Sequence, residues 1–321
     1  MIDRYNRKIE YVRISLTDRC NLRCQYCMPE VGIIKVSHSD ILTLEEILRI
    51  TKSLARLGIR KVRLTGGEPL LRKGIVNLIH DIKSIDGIEQ IMLTTNGVLL
   101  ANMVDDLISA GLDGVNLSLD TLDEGIFNTI TRRNSFANVL SSLHKIIRKN
   151  LIIKINCVPI AGINESEIIK VASLAKDNNI KVRFIELMPI GCALNFKGIP
   201  MSTIKTYIED VFGKLNPIDK SDKLQGPAQY FKLANFIGEI GFIDAIEHKF
   251  CSSCNRVRLT SNGFLKLCLN SNFGLDVKSL VRSNIDDEQL TDSLRKIIYD
   301  KPHEHNFYKK VDDTKMYRVG G

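Results

Sequence analysis

The chain has 321 residues, of which 44% are hydrophobic and 26% are charged, and its formal net charge at pH 7 is +8. These values are ordinary for a soluble globular protein, and no run approaches the roughly 18 apolar residues that a membrane-spanning helix needs. An aromatic content of 6% without Trp argues against a stacking surface for single-stranded nucleic acid. The charged residues that follow Met1 do not form a signal peptide. We expect a cytoplasmic protein that binds neither membranes nor nucleic acid.

Six short β-rich runs alternate with longer amphipathic segments in the first part of the chain. The runs are dominated by Val, Ile, Leu and Thr and predict strands, which we place at residues 11–16, 61–65, 91–95, 114–119, 152–158 and 181–187. The segments between them carry apolar residues at three- and four-residue spacing, as helices do. Thr43 and Glu46 predict a capping box, and Gly58 and Gly111 stand where helices often end. This alternation predicts parallel strands joined by right-handed crossovers.

Polar residues follow the ends of most of these strands, which favours a barrel over a doubly wound sheet. Six units rather than eight predict an α/β fold with an incomplete (β/α)6 TIM-type barrel over residues 1–189, open at one side. Residues 190–321 are predicted to form an appended C-terminal region. It contains a loop at 191–200, a helix at 202–215 and a hairpin whose turn is Asn262-Gly263.

The first cysteine set lies in SLTDRCNLRCQYCMPE, where Cys20, Cys24 and Cys27 have the spacing C-x3-C-x2-C. In a reducing compartment, clustered cysteines are metal ligands or catalytic thiols more often than disulfides. A structural zinc site is closed by four ligands. Three thiolates on a cubane iron-sulfur cluster instead leave one iron free to bind a small molecule. The spacing therefore predicts a cluster with an open iron.

The second cysteine set, Cys251, Cys254 and Cys268, has the spacing C-x2-C-x13-C, and His248 precedes it by three residues. His248 could complete a Cys3His zinc site whose only role is to stabilise the fold of the C-terminal region. A second three-cysteine cluster fits the spacing equally well. The residues alone leave these two alternatives open.

The motifs along the chain resemble those of a known family. C-x3-C-x2-C with Tyr26 before the last cysteine resembles the signature of radical S-adenosylmethionine enzymes. The further motifs, in chain order, are TDRCNLRCQYCMP, VRLTGGEPLLR, TTNG, LSLDTLD, RFIELMPIG, FCSSCNRVRLTSNGFLKLCL and a terminal Gly320-Gly321. Together they are similar, essentially from end to end, to those of the GTP 3',8-cyclase family, which performs the first step of molybdenum cofactor (molybdopterin) biosynthesis.

The resemblance implies two [4Fe-4S] clusters, one on each cysteine set, with S-adenosyl-L-methionine at the open iron of the first. Reductive cleavage of this cofactor would yield methionine and a 5'-deoxyadenosyl radical, which takes a hydrogen from C3' of GTP. The carbon radical would then add to C8 of guanine and give (8S)-3',8-cyclo-7,8-dihydroguanosine 5'-triphosphate. The open iron of the second cluster would hold the purine. The Gly-Gly end would reach into the active site.

The resemblance also assigns individual residues. Positions that bind S-adenosylmethionine fall on Tyr26, Gly67, Ser118 and Met188. Positions that bind GTP fall on Arg13, Arg63, Thr94, Lys154, Arg256, Val257 and Arg258. The residue types agree with these roles, because a glycine pair lets a backbone approach a ligand closely and convergent cations can clamp a triphosphate.

Other interpretations of the same residues stay open. Gly66-Gly67 could be only a tight turn, and Lys154, Arg256 and Arg258 could face solvent. The chain could be another radical S-adenosylmethionine enzyme with an auxiliary cluster that acts on a peptide, or a non-enzymatic zinc-stapled binding protein. The family further implies a reducing partner such as flavodoxin or ferredoxin, and transfer of the product to cyclic pyranopterin monophosphate synthase. Whether the chain is a monomer or a homodimer is left open.

Overall fold

All six strands predicted in the first part of the chain are present, with ends within two residues of the prediction. The computed structural model describes residues 1–33, 37–219, 226–246 and 250–305, and Met316 by itself. The strands are β1 (Tyr11–Ser15), β2 (Lys61–Thr65), β3 (Gln90–Thr95), β4 (Gly114–Ser118), β5 (Ile152–Cys157) and β6 (Lys181–Ile185). Each pairs in parallel with the next along the chain. This is the arrangement that successive βαβ units produce.

Helices cross over between these strands as predicted. They are α1 (Leu44–Arg56), α2 (Ile75–Lys83), α3 (Leu100–Ser109), α4 (Glu124–Thr131), α5 (Phe136–Ile147) and α6 (Ile168–Ser173). The predicted capping box of α1 is confirmed, since the Glu46 amide donates to Thr43 Oγ1 (3.2 Å) and the Thr43 amide to Glu46 Oε2 (2.8 Å). Gly58 and Gly111 adopt the left-handed φ values of +91° and +101° that helix C-termini favour.

The C-terminal region extends both edges of the same sheet. Its elements are α7 (Met201–Phe212), β7 (Asn216–Pro217), β8 (Gln229–Lys232), β9 (Glu239–Ile243), β10 (Arg256–Leu259), β11 (Phe264–Lys266), β12 (Gly274–Asp276), α8 (Val277–Arg282) and α9 (Asp287–Tyr299). β9 pairs in parallel with β6 and β10 in parallel with β1, so the strand order is β12-β11-β10-β1-β2-β3-β4-β5-β6-β9-β8-β7. The predicted hairpin forms between β10 and β11, and residues 191–195 form a 3-10 turn inside the predicted loop.

The barrel is open. Across the described ranges β9 and β10 do not pair with each other, and β7 and β12 form the two edges of the sheet. The prediction of an incomplete six-unit barrel is therefore confirmed. The division of the chain at residue 189 stays a prediction, because strands from both sides of it share one sheet. His248 and Gly320-Gly321 lie outside the described residues. In the described part, no helix has the length and apolarity to cross a membrane.

The two faces of the parallel strands differ in polarity. Outward-facing residues, such as Val12, Val62, Val115 and Val182, are fully buried in an apolar core against the helices. Inward-facing positions carry polar or charged side chains, which include Tyr11, Arg13, Lys61, Arg63, Thr94, Asn116, Lys154, Asn156 and Arg183. Charged side chains cannot replace the packed apolar interior of a closed barrel. The inner face therefore surrounds a cavity.

Candidate active site

A cavity of about 1020 Å³, counted together with the open space at its mouth, lies inside the open barrel. It brings together residues that are far apart in the sequence, from both edges of the parallel sheet. Its walls contain Met188 and four of the predicted GTP-binding residues, namely Arg13, Arg63, Arg256 and Arg258. They also contain the whole second cysteine set, Cys251, Cys254 and Cys268. The predicted neighbourhood of basic residues and second-set cysteines is thus present as one space.

The cavity concentrates positive charge. Burial, together with the charges of Arg13 and Arg183, lowers the pKa of Arg63 to about 9, although Tyr11 opposes this shift. The pKa of Lys154 falls to about 6 because it is buried and faces Arg183 and other cations. Cations that depress one another's pKa values in a buried site form a binding site for a multiply charged anion. A triphosphate has that charge.

Tyr11 was not anticipated from the sequence as part of this site. It is buried, and Arg13 Nε donates to its hydroxyl at 3.2 Å. Its ring centroid lies 5.6 Å from Lys61 Nζ and 5.3 Å from the Arg63 guanidinium carbon. Burial alone would raise the pKa of Tyr11, but these three cations lower it to about 7. The neighbouring cations therefore favour the phenolate form of Tyr11.

Arg183 was also missed. It is 3% exposed and lines the cavity on β6, next to Asn156, whose Oδ1 accepts a hydrogen bond from its terminal nitrogen. Within the described part of the chain, its buried Nε has no hydrogen-bond partner. A buried guanidinium N–H without a partner lowers the free energy of unfolding. Such a group fits a binding site, because an anionic ligand can accept its hydrogen bond. The two-residue alternation of KVRFI contained a signal for this inward position.

The other predicted GTP-binding residues occupy different surroundings. Thr94 and Lys154 lie on either side of Asn116 on the inner face, and Asn116 Nδ2 donates to Thr94 Oγ1 at 3.1 Å. Val257 is fully buried in the apolar core between the two inward arginines of β10. Any contact that Val257 makes with a nucleotide would therefore use its backbone.

The first cysteine set lies on the loop that follows β1. Cys20, Cys24 and Cys27 are half-buried free thiols. The Leu22 amide and Asn96 Nδ2 approach Cys20 Sγ at 3.4 Å and 3.6 Å, contacts of the kind that tune a metal-bound thiolate. Burial, together with the neighbouring cysteines, raises the pKa of Cys24 well above its usual range and that of Cys27 to about 12. Such closely spaced thiols ionise together only beside a cation, and cluster iron provides one, so these residues fit the cluster.

The glycine pair holds this loop in place. The Gly67 amide donates to the Thr17 carbonyl at 2.7 Å, and the Glu68 amide donates to the Arg19 carbonyl at 2.7 Å. A β-carbon added at Gly67 would lie 2.3 Å from the Arg19 carbonyl oxygen. The missing side chain therefore lets the end of β2 approach the backbone just before Cys20. Contact between Gly67 and the cofactor stays a prediction.

Gly67→Ala is expected to displace the cysteine loop. Overpacking against a backbone carbonyl, which cannot move aside as a side chain can, costs about 1–3 kcal/mol of folding free energy or more. Iron content after reconstitution should fall together with the midpoint of thermal unfolding. Gly125→Ala is the control, because Gly125 is exposed on α4 and, among the described residues, an added β-carbon meets only the side-chain oxygen of Asp123, at 3.2 Å. Full iron content in the Gly67 variant would contradict this role.

A smaller cavity of about 320 Å³ lies beside the first cysteine set. Two of the predicted cofactor-binding residues, Tyr26 and Ser118, line it together with Cys24 and Asp120. The Tyr26 hydroxyl donates to Asp120 Oδ2 at 2.7 Å, and burial raises the pKa of Asp120 to about 6. The other two predicted residues do not line this cavity, since Gly67 contacts the loop backbone and Met188 lies on the wall of the larger cavity.

The second cysteine set is electrostatically different from the first. Burial alone would raise the pKa of Cys254, but the charges of Arg256 and Lys301 lower it to about 6. A lowered pKa favours the thiolate, which is the form of cysteine that binds metals. Among the described side chains, no group of three or more Cys, His, Asp or Glu converges on a single metal ion. A cubane does not require such convergence, because each thiolate binds a different iron, and the set therefore fits a cluster that faces the cavity.

Comparison with known proteins identifies the class. The radical SAM superfamily matches residues 14–175, and the family described as Molybdenum Cofactor Synthesis C matches residues 180–307. The crystal structure of SuiB from Streptococcus suis covers 99% of this chain and 78% of its own, with a TM-score of 0.66 at 14% identity, which shows a shared fold. The chain is thus an enzyme of the radical S-adenosylmethionine class, as predicted.

Two curated relatives define the family more closely. The chain is 47% identical to the GTP 3',8-cyclase of Clostridium perfringens (strain 13 / Type A) and 45% identical to that of Desulforamulus reducens (strain ATCC BAA-1160 / DSM 100696 / MI-1). Both alignments cover 100% of each chain. The chain belongs to the GTP 3',8-cyclase family, which confirms the resemblance inferred from its motifs.

Proposed function

We propose that the chain converts GTP to (8S)-3',8-cyclo-7,8-dihydroguanosine 5'-triphosphate, with release of 5'-deoxyadenosine and methionine, as the first step of molybdenum cofactor biosynthesis. The observation that carries the proposal is the shared cavity. A dense cluster of cations and a second set of three cysteines face one space, inside a fold whose first cysteine set has the radical signature. Family membership supports the same reaction.

In this proposal, different side chains of the protein contact different parts of the nucleotide. Two [4Fe-4S] clusters and S-adenosyl-L-methionine supply the electron and the 5'-deoxyadenosyl radical that begins the reaction. The triphosphate lies against the inner-face cations of β1, β2, β5, β6 and β10, namely Arg13, Lys61, Arg63, Lys154, Arg183 and Arg258. Guanine extends toward Cys251, Cys254 and Cys268, beside Arg256 and the backbone of Val257, while Thr94 lies on the opposite part of the inner face.

The cofactor lies nearer the first cysteine set. Tyr26 and Ser118 are placed to contact it from the small cavity, and Asp120 holds the Tyr26 hydroxyl at 2.7 Å. Gly67 positions the loop, and Met188 lies where the wall of the larger cavity approaches the end of β6. In this proposal the radical forms beside the first cysteine set and the ribose lies close to it, because hydrogen transfer needs that proximity.

The charge of the cavity also bears on the rival functions. A cluster of buried and half-buried cations suits a triphosphate, which carries several negative charges, better than a peptide backbone, which carries none.

The proposed partners are a reducing protein such as flavodoxin or ferredoxin, and cyclic pyranopterin monophosphate synthase as the consumer of the product, in the cytoplasm. Residues 1–189 are proposed as the barrel unit and 190–321 as the unit that completes the nucleotide site.

The proposed reaction is tested by anaerobic reconstitution. The purified chain is loaded with iron and sulfide, reduced, and supplied with S-adenosylmethionine and GTP. About eight irons per chain are expected for two cubanes, and 5'-deoxyadenosine should form together with the cyclised triphosphate. Cofactor cleavage without a cyclised nucleotide would overturn the choice of substrate. An iron-free protein that retains stoichiometric zinc would favour the zinc-stapled alternative.

GTP binding is expected to take up protons near neutral pH. In the free cavity the pKa of Lys154 is about 6 and that of Tyr11 about 7. A bound triphosphate stabilises the ammonium and the neutral phenol, so both pKa values rise on binding. Affinity is therefore full below about pH 6, falls above pH 6 as free Lys154 loses its proton, and falls more steeply above pH 7 as Tyr11 does too, by up to tenfold per pH unit for each proton taken up.

Titration calorimetry measures this uptake. GTP is titrated at about pH 7.5 in two buffers with different heats of ionisation, and the difference gives the number of protons bound. Lys154→Met should lower that number. Proton release, or no exchange at all, would contradict the expected linkage.

A further inference from the structure

Arg7 lies outside the large cavity, yet its buried side chain joins three parts of the chain. Nε donates to Asp3 Oδ2 at 2.7 Å. The two terminal nitrogens donate to four backbone carbonyls, those of Cys251 (3.0 Å), Lys301 (3.2 Å), Pro302 (2.7 Å) and His303 (2.8 Å). A guanidinium has five N–H donors in a rigid plane. One carboxylate and four carbonyls therefore match its whole donor capacity.

We propose that Arg7, held by Asp3, is the positioning residue of the second cysteine set. The proposal rests on that set holding a cluster, as proposed above. Its direct contact is the carbonyl of Cys251 itself. Its contacts with residues 301–303 fix the segment that follows α9 against the same loop.

Asp3 prepares the guanidinium for this role. Its side chain is fully buried, and Oδ1 accepts the amides of Tyr5 at 3.0 Å and Arg7 at 2.9 Å. The turn between them uses a left-handed Asn6 with a φ of 61°. The carboxylate thus closes a tight turn and neutralises the arginine, so that the terminal nitrogens are directed at the carbonyls alone.

Arg7 is also linked to the other two cysteines. It donates to the Lys301 carbonyl, and the buried Lys301 Nζ donates to the carbonyl of Leu267, the neighbour of Cys268. The Cys254 amide donates at 3.2 Å to the Cys251 carbonyl, which is the carbonyl that Arg7 also contacts. The guanidinium is therefore linked to Cys251 directly, to Cys254 through that shared carbonyl, and to Cys268 through Lys301.

The N-terminal segment holds the other end of the cysteine loop as well. The amides of Glu10 and Tyr11 both point to the carbonyl of Asn255 at 3.2 Å, directly after Cys254. Residues 3–11 therefore contact the loop on both sides of its first two cysteines. Rigid support of this kind sets the spacing of ligands that must each reach a different iron.

The test compares Arg7→Met with Arg4→Met. Arg4 is an apt control because its guanidinium lies 5.3 Å from the same Tyr5 ring as that of Arg7, but its side chain is 48% exposed and forms an ion pair with Asp300 at 3.2 Å. Arg7→Met is expected to retain about four irons per chain while the control retains about eight. The spectroscopic response of the reduced protein to GTP should disappear, while cleavage of S-adenosylmethionine continues.

A second measurement uses the metal-free chain and does not depend on the proposed reaction. In Arg7→Met the rate of alkylation of Cys251 should rise about tenfold relative to that of Cys20, because the loop loses its hydrogen bonds to the guanidinium. Arg4→Met should leave this ratio of rates unchanged. If the wild-type protein itself lacks the second cluster, the proposed function fails, but the ratio of alkylation rates still reports whether Arg7 positions the cysteine loop. An unchanged ratio together with an unchanged iron content in Arg7→Met would overturn the proposal.

Arg7→Lys covers the case in which the methionine variant does not fold. A lysine retains the charge beside Asp3 but cannot reach all four carbonyls. This variant should lose iron to a chelator from the second site several times faster than wild type, with the first site unaffected. Equal losses from both sites, or wild-type kinetics at both, would show that Arg7 does not position the second set.

Discussion

Cys20→Ser is expected to abolish formation of 5'-deoxyadenosine, with a rate at least about a thousandfold below that of the wild type. The reason is that Cys20 is one of only three proposed protein ligands to the cluster that delivers the electron, and the Leu22 amide and Asn96 already contact its sulfur. Serine provides a harder and less polarisable ligand for iron. Liquid chromatography of the reduced reaction mixture measures the product.

Cys251→Ser is the paired variant and should separate the two sites. Cyclised nucleotide should be lost, because the second set faces the cavity, but some cofactor cleavage should survive, since the first cysteine loop lies elsewhere. Unchanged cyclisation in this variant would refute a substrate-binding role for the second set. Wild-type cleavage in Cys20→Ser would refute the assignment of the first.

Arg183→Met is expected to weaken GTP binding by about 2–4 kcal/mol, or roughly 30- to 1000-fold, because a buried charged group that meets the triphosphate is removed. The same substitution relieves repulsion with Lys154 and Arg63 and removes the unpartnered Nε. The nucleotide-free protein should therefore unfold at an equal or higher temperature. This opposition between affinity and stability is typical of functional sites.

Equilibrium binding of GTP and thermal unfolding without nucleotide measure the two effects. Arg295→Met serves as the control, because Arg295 is exposed on α9 and pairs with Asp292. It should change neither quantity. Wild-type affinity for GTP in the Arg183 variant would show that this arginine does not contact the nucleotide. A lowered unfolding temperature would indicate a structural role instead.

Local signals explain why so much of the fold could be predicted. The strands of the barrel have β-branched runs of ordinary length, and the Thr43–Glu46 capping box is a contact between residues three positions apart. The placement of β9 and β10 at opposite edges of the sheet has no such signal, because their pairing joins distant parts of the chain. Only the structure reveals that the C-terminal region completes both walls of the cavity.

Candidate site residues that belong to a motif could be assigned from the sequence. Residues that reach the cavity only because of the fold were missed. Arg183 and Lys61 alternate correctly for an inward position, but alternation alone does not distinguish a ligand site from a polar lining. The contact of Gly67 with the cofactor, assigned from a motif, stays a prediction, and the structure adds the close approach of Gly67 to the cysteine loop. Tyr11 acquires its lowered pKa from three cations on two strands, an effect that depends on their assembly.

The pairing of β1 with β10 has a consequence for how the protein matures. Tyr11 is synthesised well before its partner Arg256, which lies 245 positions further along the chain. Contacts between distant segments are slow to form, because the intervening chain must close into a loop first. The first cysteine loop can meet its neighbours in the barrel early in synthesis, but the wall that holds the second set exists only after the C-terminal region has docked. We therefore expect the two metal centres to be filled in sequence, and the nucleotide chamber to be the last part of the molecule to form.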